Sequence, residues 1–293
     1  MHLRHLTWLA PQPMCLVQND WVSTQISKVG SWRDCRLLVR EWISHESNHS
    51  AAEQKLPDLF VDAGANIGAC TMEVLLSTNA RVVAFEPNPN NLYHLTRTLN
   101  MLVERNASFA GRIAVLPVGL GSRAAEITIT LQVGNVGNSI LRAEDTPNMP
   151  HAKKLAGESA VRCANDTTSN TRGKSCNMGR VPVRRLDKLF EAPFPVRLMK
   201  MDVQGYECNV LRGASRFLDN DCMHTVTAED DEAWLVAQHC SSAGLRRILT
   251  RNGTGGMQVL TSKTCSHCRE QTMVARRTFR RDAGSIQCDR RDR

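Results

Sequence analysis

The stretch FVDAGANIG, Phe60 to Gly68, limits the fold more than any other part of the chain. A short apolar run ends in an acid, passes through a turn of small residues and enters IGACTMEVLLS. There Ile67, Cys70, Val74 and Leu75 mark one buried helical face. Strand, glycine turn and helix in that order open a parallel sheet that binds its ligand beyond the carboxyl ends of the strands. The rhythm continues. RVVAFEP is a second buried strand, and NPNNLYHLTRTLNMLV is a helix with Asn88 at the cap, Pro89 at the first helical position and Leu92, Leu95, Leu99 and Leu102 on one side. IAVLPVGLG is a third strand, and EITITL alternates like a half-exposed antiparallel one. VRLMKMDVQGYECNVLRGASRFL repeats the opening pattern, with Val210, Leu211, Ala214 and Phe217 as the helical stripe. HTVTAEDD and DEAWLVAQHCSSAG supply one more strand and helix. RRILT and MQVLT are expected to close the sheet as an antiparallel pair. The fold class that follows is α/β, a doubly wound, mostly parallel sheet with an antiparallel edge pair.

The remaining segments set the boundaries. Residues 1–55 form a leader in which SWRDCRLLVREWISHE reads as an amphipathic helix, with Ser31 as cap and Cys35, Leu38 and Trp42 on one face. The main domain spans 56–262 and carries a polar insertion at about 143–180, rich in Ser, Asn, Thr, Asp and Gly. Residues 263–293 read as a solvated, disordered basic tail. From Arg269 onward eight arginines face four acids, about half of the net charge of +8.

Ligand chemistry belongs to the residues just past each strand. These are Asp62, Gly64, Asn66 and Gly68 after the first, Glu86 and Asn88 after the second, Asp202 with Gly205 and Glu207 after the fourth, and Glu229 and Asp230 after the fifth. Glu86, some twenty residues past the turn, is placed to accept both hydroxyls of a ribose. A pyrophosphate requires G-x-G-x-x-G, whereas this turn has Gly64, Asn66 and Gly68 followed by Ala69 and Cys70. An adenosine ligand without a phosphate, S-adenosylmethionine, fits the looser turn better than a dinucleotide.

FVDAGANIG, VVAFEPNPNNLYHL, NVGNSIL, VPVRRLDKLF and LMKMDVQGYECNVLRGA follow one another as in the FkbM family of S-adenosylmethionine-dependent methyltransferases, which the chain resembles from about Pro57 to Gly244. The resemblance implies a class I Rossmann-like methyltransferase fold and methylation of a hydroxyl, often on a sugar or a natural product. It implies cofactor contacts at Asp62, Gly64, Asn66, Gly68, Glu86 and Asn88. Where the family usually carries V-E-G, this chain has Val203, Gln204 and Gly205. An alcohol acceptor must lose a proton as the new bond forms, which calls for a base. Asp202 is the first candidate; Lys200, two residues back on the same strand face, would pair with it or orient it. Glu229, Glu207 and Asp230 are reserves.

Other function classes are disfavoured. The basic tail admits nucleic-acid methylation, but few aromatics interleave with its arginines, and MDVQGYE stands where an N-P-P-Y type loop would be. A binding module without chemistry is the other alternative, motivated by Gln204. Asp202 and Glu229 could hold a metal, although no spacing demands one, and Cys265 and Cys268 lack a second ligand pair. Cys70 and Cys208 read as small buried hydrophobes, and His94 as exposed. Sequons stand at Asn48, Asn106, Asn165 and Asn252, where composition alone would give roughly two. No apolar run is long enough to span a membrane and the start is not a good signal peptide, so a soluble chain is expected, cytoplasmic by default. The sequence is silent on oligomeric state.

Overall fold

A computed structural model describes residues 14–18, 20–44, 58–132, 135–142, 161–162, 175–251, 257–260 and 272–277. Its centre is a parallel sheet built from the apolar runs: β1 (Leu59–Ala63), β2 (Arg81–Phe85), β3 (Ile113–Leu116), β9 (Val196–Met201) and β10 (Met223–Glu229). β1 and β9 are buried along their whole length, as strands covered on both faces must be. Successive side chains serve opposite layers. Phe60 and Leu198 pack into one core and Val61 and Met199 into the other.

The first layer is helical and includes the leader. α1 (Trp21–Val29) starts at Asp20, whose carboxylate accepts from the Ser23 N–H, and ends at Gly30 in the left-handed region. α2 (Arg33–Ser44) buries Cys35, Leu38 and Trp42, the face expected from its periodicity. The expected Ser31 cap does not form: its buried Oγ takes no hydrogen bond among the described residues. α2 packs on α3 (Ala69–Ser77), and the Cys35–Cys70 disulfide joins the two. Arg197 of β9 stacks on the Trp42 ring, 4.2 Å from its centroid, and donates to the Trp42 carbonyl. α4 (Pro89–Arg105) completes this side, capped by Asn88 as the sequence suggested. His94 on α4 is half-buried rather than exposed, because Cys15 lies against the helix and its carbonyl oxygen is 3.0 Å from His94 Nδ1.

A second sheet branches off after β3, in the order β4 (Gly119–Leu120), β8 (Ser175–Arg184), β5 (Ala125–Gln132), β6 (Asn135–Arg142), with β7 (Val161–Arg162) on β8. The rest of the polar insertion lies outside the described residues. α5 (Leu186–Leu189) follows β8, and its buried Asp187 accepts from the Ser215 hydroxyl and the Arg216 N–H at the start of α7 (Ser215–Asp219). α6 (Glu207–Gly213), α7, α8 (Glu232–Ala237) and α9 (Ser242–Arg251) occupy the other side of the main sheet. Cys208 and Cys240 form a second disulfide, and Cys222 is disulfide-bonded too. Cys70 and Cys208 are therefore buried as expected, but as halves of covalent crosslinks.

The closing pair differs from expectation. Arg246–Thr250, read as a strand, belongs to α9. The partner of β11 (Met257–Leu260) is β12 (Thr272–Arg277), which inserts between β11 and β10 and runs antiparallel to both. β12 lies within the span expected to be a solvated tail. Its MVA core, Met273 to Ala275, is buried, and Arg276 pairs with buried Glu41 of α2. Cys265, Cys268 and three of the sequons, Asn48, Asn165 and Asn252, lie outside the described residues.

Candidate active site

Parallel register sets the site. Asp62 on β1 stands opposite Lys200 on β9, so an acid and an ammonium meet in the centre of the sheet near its carboxyl edge. Lys200 Nζ donates to the Gly64 carbonyl at 2.7 Å, lies 3.2 Å from Asp62 Oδ1 and 3.8 Å from Asp202 Oδ2. Its tightest partners are thus the glycine turn and Asp62, with Asp202 third. Burial works against the charge on Lys200, but Asp62, Asp202 and Glu86 outweigh it and raise its pKa above the ordinary lysine value. Asp62 is fully buried and also accepts from the Thr71 hydroxyl on α3, at 2.7 Å.

The turn itself is held by close approach. Gly64 has φ +77°, and a Cβ there would sit 2.0 Å from the Asp202 carbonyl oxygen. Gly68 has φ +90° and a Cβ would meet Leu95 at 2.5 Å. Asn66 lies between them at φ 54°, in the left-handed region that asparagine tolerates better than most residues. Its N–H donates to Glu86 Oε2 at 2.7 Å, and the Asn88 N–H donates to Oε1 at 2.8 Å. Turn and second strand are thereby locked together through one carboxylate. Asn88 spends its side chain on the helix cap, accepting from the Asn90 N–H. The Asn91 side chain hydrogen-bonds the same carboxylate, and the roughly four acceptor sites of a carboxylate leave some capacity beyond these three bonds. Burial pushes the Glu86 pKa up to about 7, against the pull of the two N–H groups and Lys200.

At the ends of β9 and β10 a second group of acids gathers. Asp202 is 45% exposed at its side chain. Gln204, at φ 55°, turns its Nε2 onto Asp202 Oδ1 at 2.9 Å and Glu229 Oε2 at 3.1 Å. Glu207 is buried and accepts from the Val203 N–H, and its pKa is raised to about 7, chiefly by burial. Glu229 is raised to about 9 by burial and then by the charges of Asp202, Glu207 and Asp231, so at neutral pH it holds its proton. Buried Asn66 Oδ1 and Asp230 Oδ1 have no hydrogen-bond partner among the described residues. None of those residues forms a cluster of three or more His, Cys, Asp or Glu able to hold a metal ion.

The candidates therefore fall into two connected groups. Asp62, Gly64, Asn66, Gly68, Glu86 and Asn88 form the turn side; Lys200 reaches Asp202 on the other, where Gln204 links Asp202 to Glu229. One contributor was missed from the sequence, and the role of a second was not seen. Thr71 gave no local signal, because its bond to Asp62 depends on how α3 packs over β1. Gln204 stood out only as a departure from a pattern, and its bridge between two carboxylates required β9 and β10 to lie side by side.

A family profile described as the methyltransferase FkbM domain matches residues 62–253. The chain is 30% identical over 164 residues to "Methyltransferase sdnD" of Sordaria araneosa, covering 52% of this chain and 59% of that protein. It is 27% identical over 168 residues to the hexuronic acid methyltransferase AglP of Haloferax volcanii, covering 57% and 54%. The chain thus spans a little over half the length of these relatives. Among solved structures it is similar to the methyltransferase FkbM from Methylobacillus flagellatus, at 19% identity and a TM-score of 0.43, over 78% of this chain and 46% of that one.

Proposed function

Because this chain belongs to the FkbM methyltransferase family, we propose that it transfers a methyl group from S-adenosylmethionine to a hydroxyl of a carbohydrate or small metabolite. The observation that carries the choice of donor is the charge of the site: Asp62, Asp202 and Glu86 are the carboxylates that act on the ammonium of Lys200. A pyrophosphate would meet these carboxylates with nothing but that one paired lysine. A donor that bears a sulfonium, an ammonium and a ribose diol suits them. The residues that would hold it are Glu86, through its spare acceptor capacity toward the ribose, and the turn from Gly64 to Gly68, where Asn66 Oδ1 is a buried acceptor still without a partner. When bound, this cofactor supplies an activated methyl carbon.

The protein's own part is orientation and proton handling. Asp202 is the base, because it is exposed to an incoming hydroxyl while Glu229 keeps its proton at neutral pH. Gln204 aligns both by donating to each. Lys200 holds the turn against β9 and balances Asp62. The proton removed from the acceptor passes to Asp202 and on to solvent. The hydroxyl acceptor rests on the family resemblance, and a sugar acid is the class to try first, since the Haloferax relative carries that specificity in its name.

Calorimetric titration of S-adenosylmethionine, followed by radiolabelled methyl transfer to a panel of uronic acids, oligosaccharides and RNA, tests this. Tight binding that Glu86→Ala weakens at least tenfold, with label entering a hydroxylated small acceptor, is the expected result. Equal binding by Glu86→Ala overturns the ribose assignment, and label entering RNA alone overturns the acceptor class.

A further inference from the structure

We propose that this chain matures in an oxidising compartment and carries an N-linked glycan on Asn106. The inference does not rest on the methyltransferase reading. Its first support is covalent. Cys35–Cys70 ties α2 to α3, with a Cα–Cα distance of 4.6 Å, and Cys208–Cys240 ties α6 to the segment before α9. Cys222 is bonded as well. These links join elements that sit more than thirty residues apart in sequence. Such structural disulfides form and persist where thiols are oxidised and are rare where glutathione keeps them reduced. Each bond requires two thiols to lose two electrons and two protons to a disulfide-bearing oxidant of that compartment.

The second support is the sequon Asn106-Ala107-Ser108, which the methyl-transfer site does not use. All three residues are exposed. Asn106 closes α4 and starts the short 3-10 turn Ala107–Arg112, its Oδ1 accepting from the Ser108 N–H at 3.0 Å. Asn106 Nδ2 and the Ser108 hydroxyl, the two groups that define the acceptor signal, have no partner among the described residues. A bulky solvated group there displaces no packed side chain. Nor does it obstruct the site. α4 starts beside Glu86 and runs 17 residues away from it, which puts Asn106 about 25 Å off at the opposite edge of the sheet.

Attachment joins Asn106 Nδ2 to the anomeric carbon of a lipid-linked oligosaccharide diphosphate. The bond from that carbon to the diphosphate oxygen breaks, the diphosphate leaves with the electron pair, and Nδ2 gives up one proton.

The full chain, directed into the secretory route of a eukaryotic host by an added leader, is to be peptide-mapped without reduction, before and after peptide N-glycosidase. We expect glycan on Asn106, linked Cys35 and Cys70 peptides, and a thermal midpoint lowered by reducing agent. Asn106→Gln and Ser108→Ala should each lose that one glycan and Ser108→Thr should keep it, with S-adenosylmethionine binding unchanged within twofold. Because Asn106 also closes a helix, Ser108→Ala decides the matter if Asn106→Gln folds poorly. Bare Asn106 in the folded, secreted chain overturns the proposal, even if another sequon is modified. So does recovery of Cys35 and Cys70 as free thiols.

Discussion

Glu86 shows how one side chain can fix the fold and, in the proposed function, also meet a ligand. Its two oxygens accept the N–H groups of Asn66 and Asn88, so it fixes the turn and the start of α4 before any ligand arrives. A ribose diol donates best to the ionised form, and burial has moved ionisation up to about 7. Affinity for S-adenosylmethionine should therefore rise as pH increases from 6 to 8, and Glu86→Gln should flatten that dependence in a calorimetric pH series. Asp202 has a separate job in the proposed reaction. Asp202→Asn should lower turnover by roughly 10²- to 10⁴-fold while leaving cofactor affinity nearly intact, measured by single-turnover methyl transfer beside calorimetry. The glycines answer to packing more than to ligand contact. Gly64→Ala would drive a methyl into the Asp202 carbonyl at a left-handed φ, and we expect it to cost more than about 2 kcal/mol in denaturant unfolding.

At the scale of elements, the leader and the C-terminal strand behave as parts of the domain. α2 is bound to α3 by a disulfide, to β9 by Arg197 on Trp42, and to β12 by the Glu41–Arg276 pair. β12 in turn lies between β10 and β11 and buries Met273, Val274 and Ala275, while Arg277 donates to the Leu218 and Met223 carbonyls and pairs with Asp221. Truncation after residue 271 would expose the edge of β10 and remove the arginine that pairs with buried Glu41. The truncated chain should therefore unfold or aggregate, read by far-UV circular dichroism and gel filtration.

The whole molecule carries buried acids whose pKa values are raised by folding. Glu86 and Glu207 move from the ordinary carboxylate value to about 7. For an acid raised in this way the folded state binds protons more tightly than the unfolded one, so stability grows as pH falls from about 7 to the unfolded value near 4.5 and is lost as pH rises through that range. The thermal midpoint should be higher by roughly several degrees at pH 6 than at pH 8, measured by scanning calorimetry at constant ionic strength. Stability and cofactor affinity should then respond to pH in opposite directions, because the proton that relieves buried Glu86 is the one that ribose binding needs removed.

Local patterns in the chain determined the sheet and its ligand edge. Continuous apolar runs specify β1, β2, β9 and β10, and the acids and glycines at their ends follow within a few residues, so Asp62, Glu86, Asp202 and Glu229 were legible one strand at a time. The Asn88 cap and the buried face of α2 were legible for the same reason, since caps and amphipathic faces are local. What joins distant segments was decided by the tertiary structure alone. Arg246–Thr250 has the composition of an edge strand, but Leu249 joins Leu245 on the buried side of a helix, and the partner of β11 is β12, a segment hidden among arginines. Cys70 looks like any small buried hydrophobe until α2 lies on α3. Lys200 settled on Asp62 and Gly64 ahead of Asp202, and Gln204 reached Glu229, only because parallel register brings side chains from separate strands within hydrogen-bond range. Short-range sterics and periodicity can be read along a chain. Pairing between strands is a property of distances that exist only after folding.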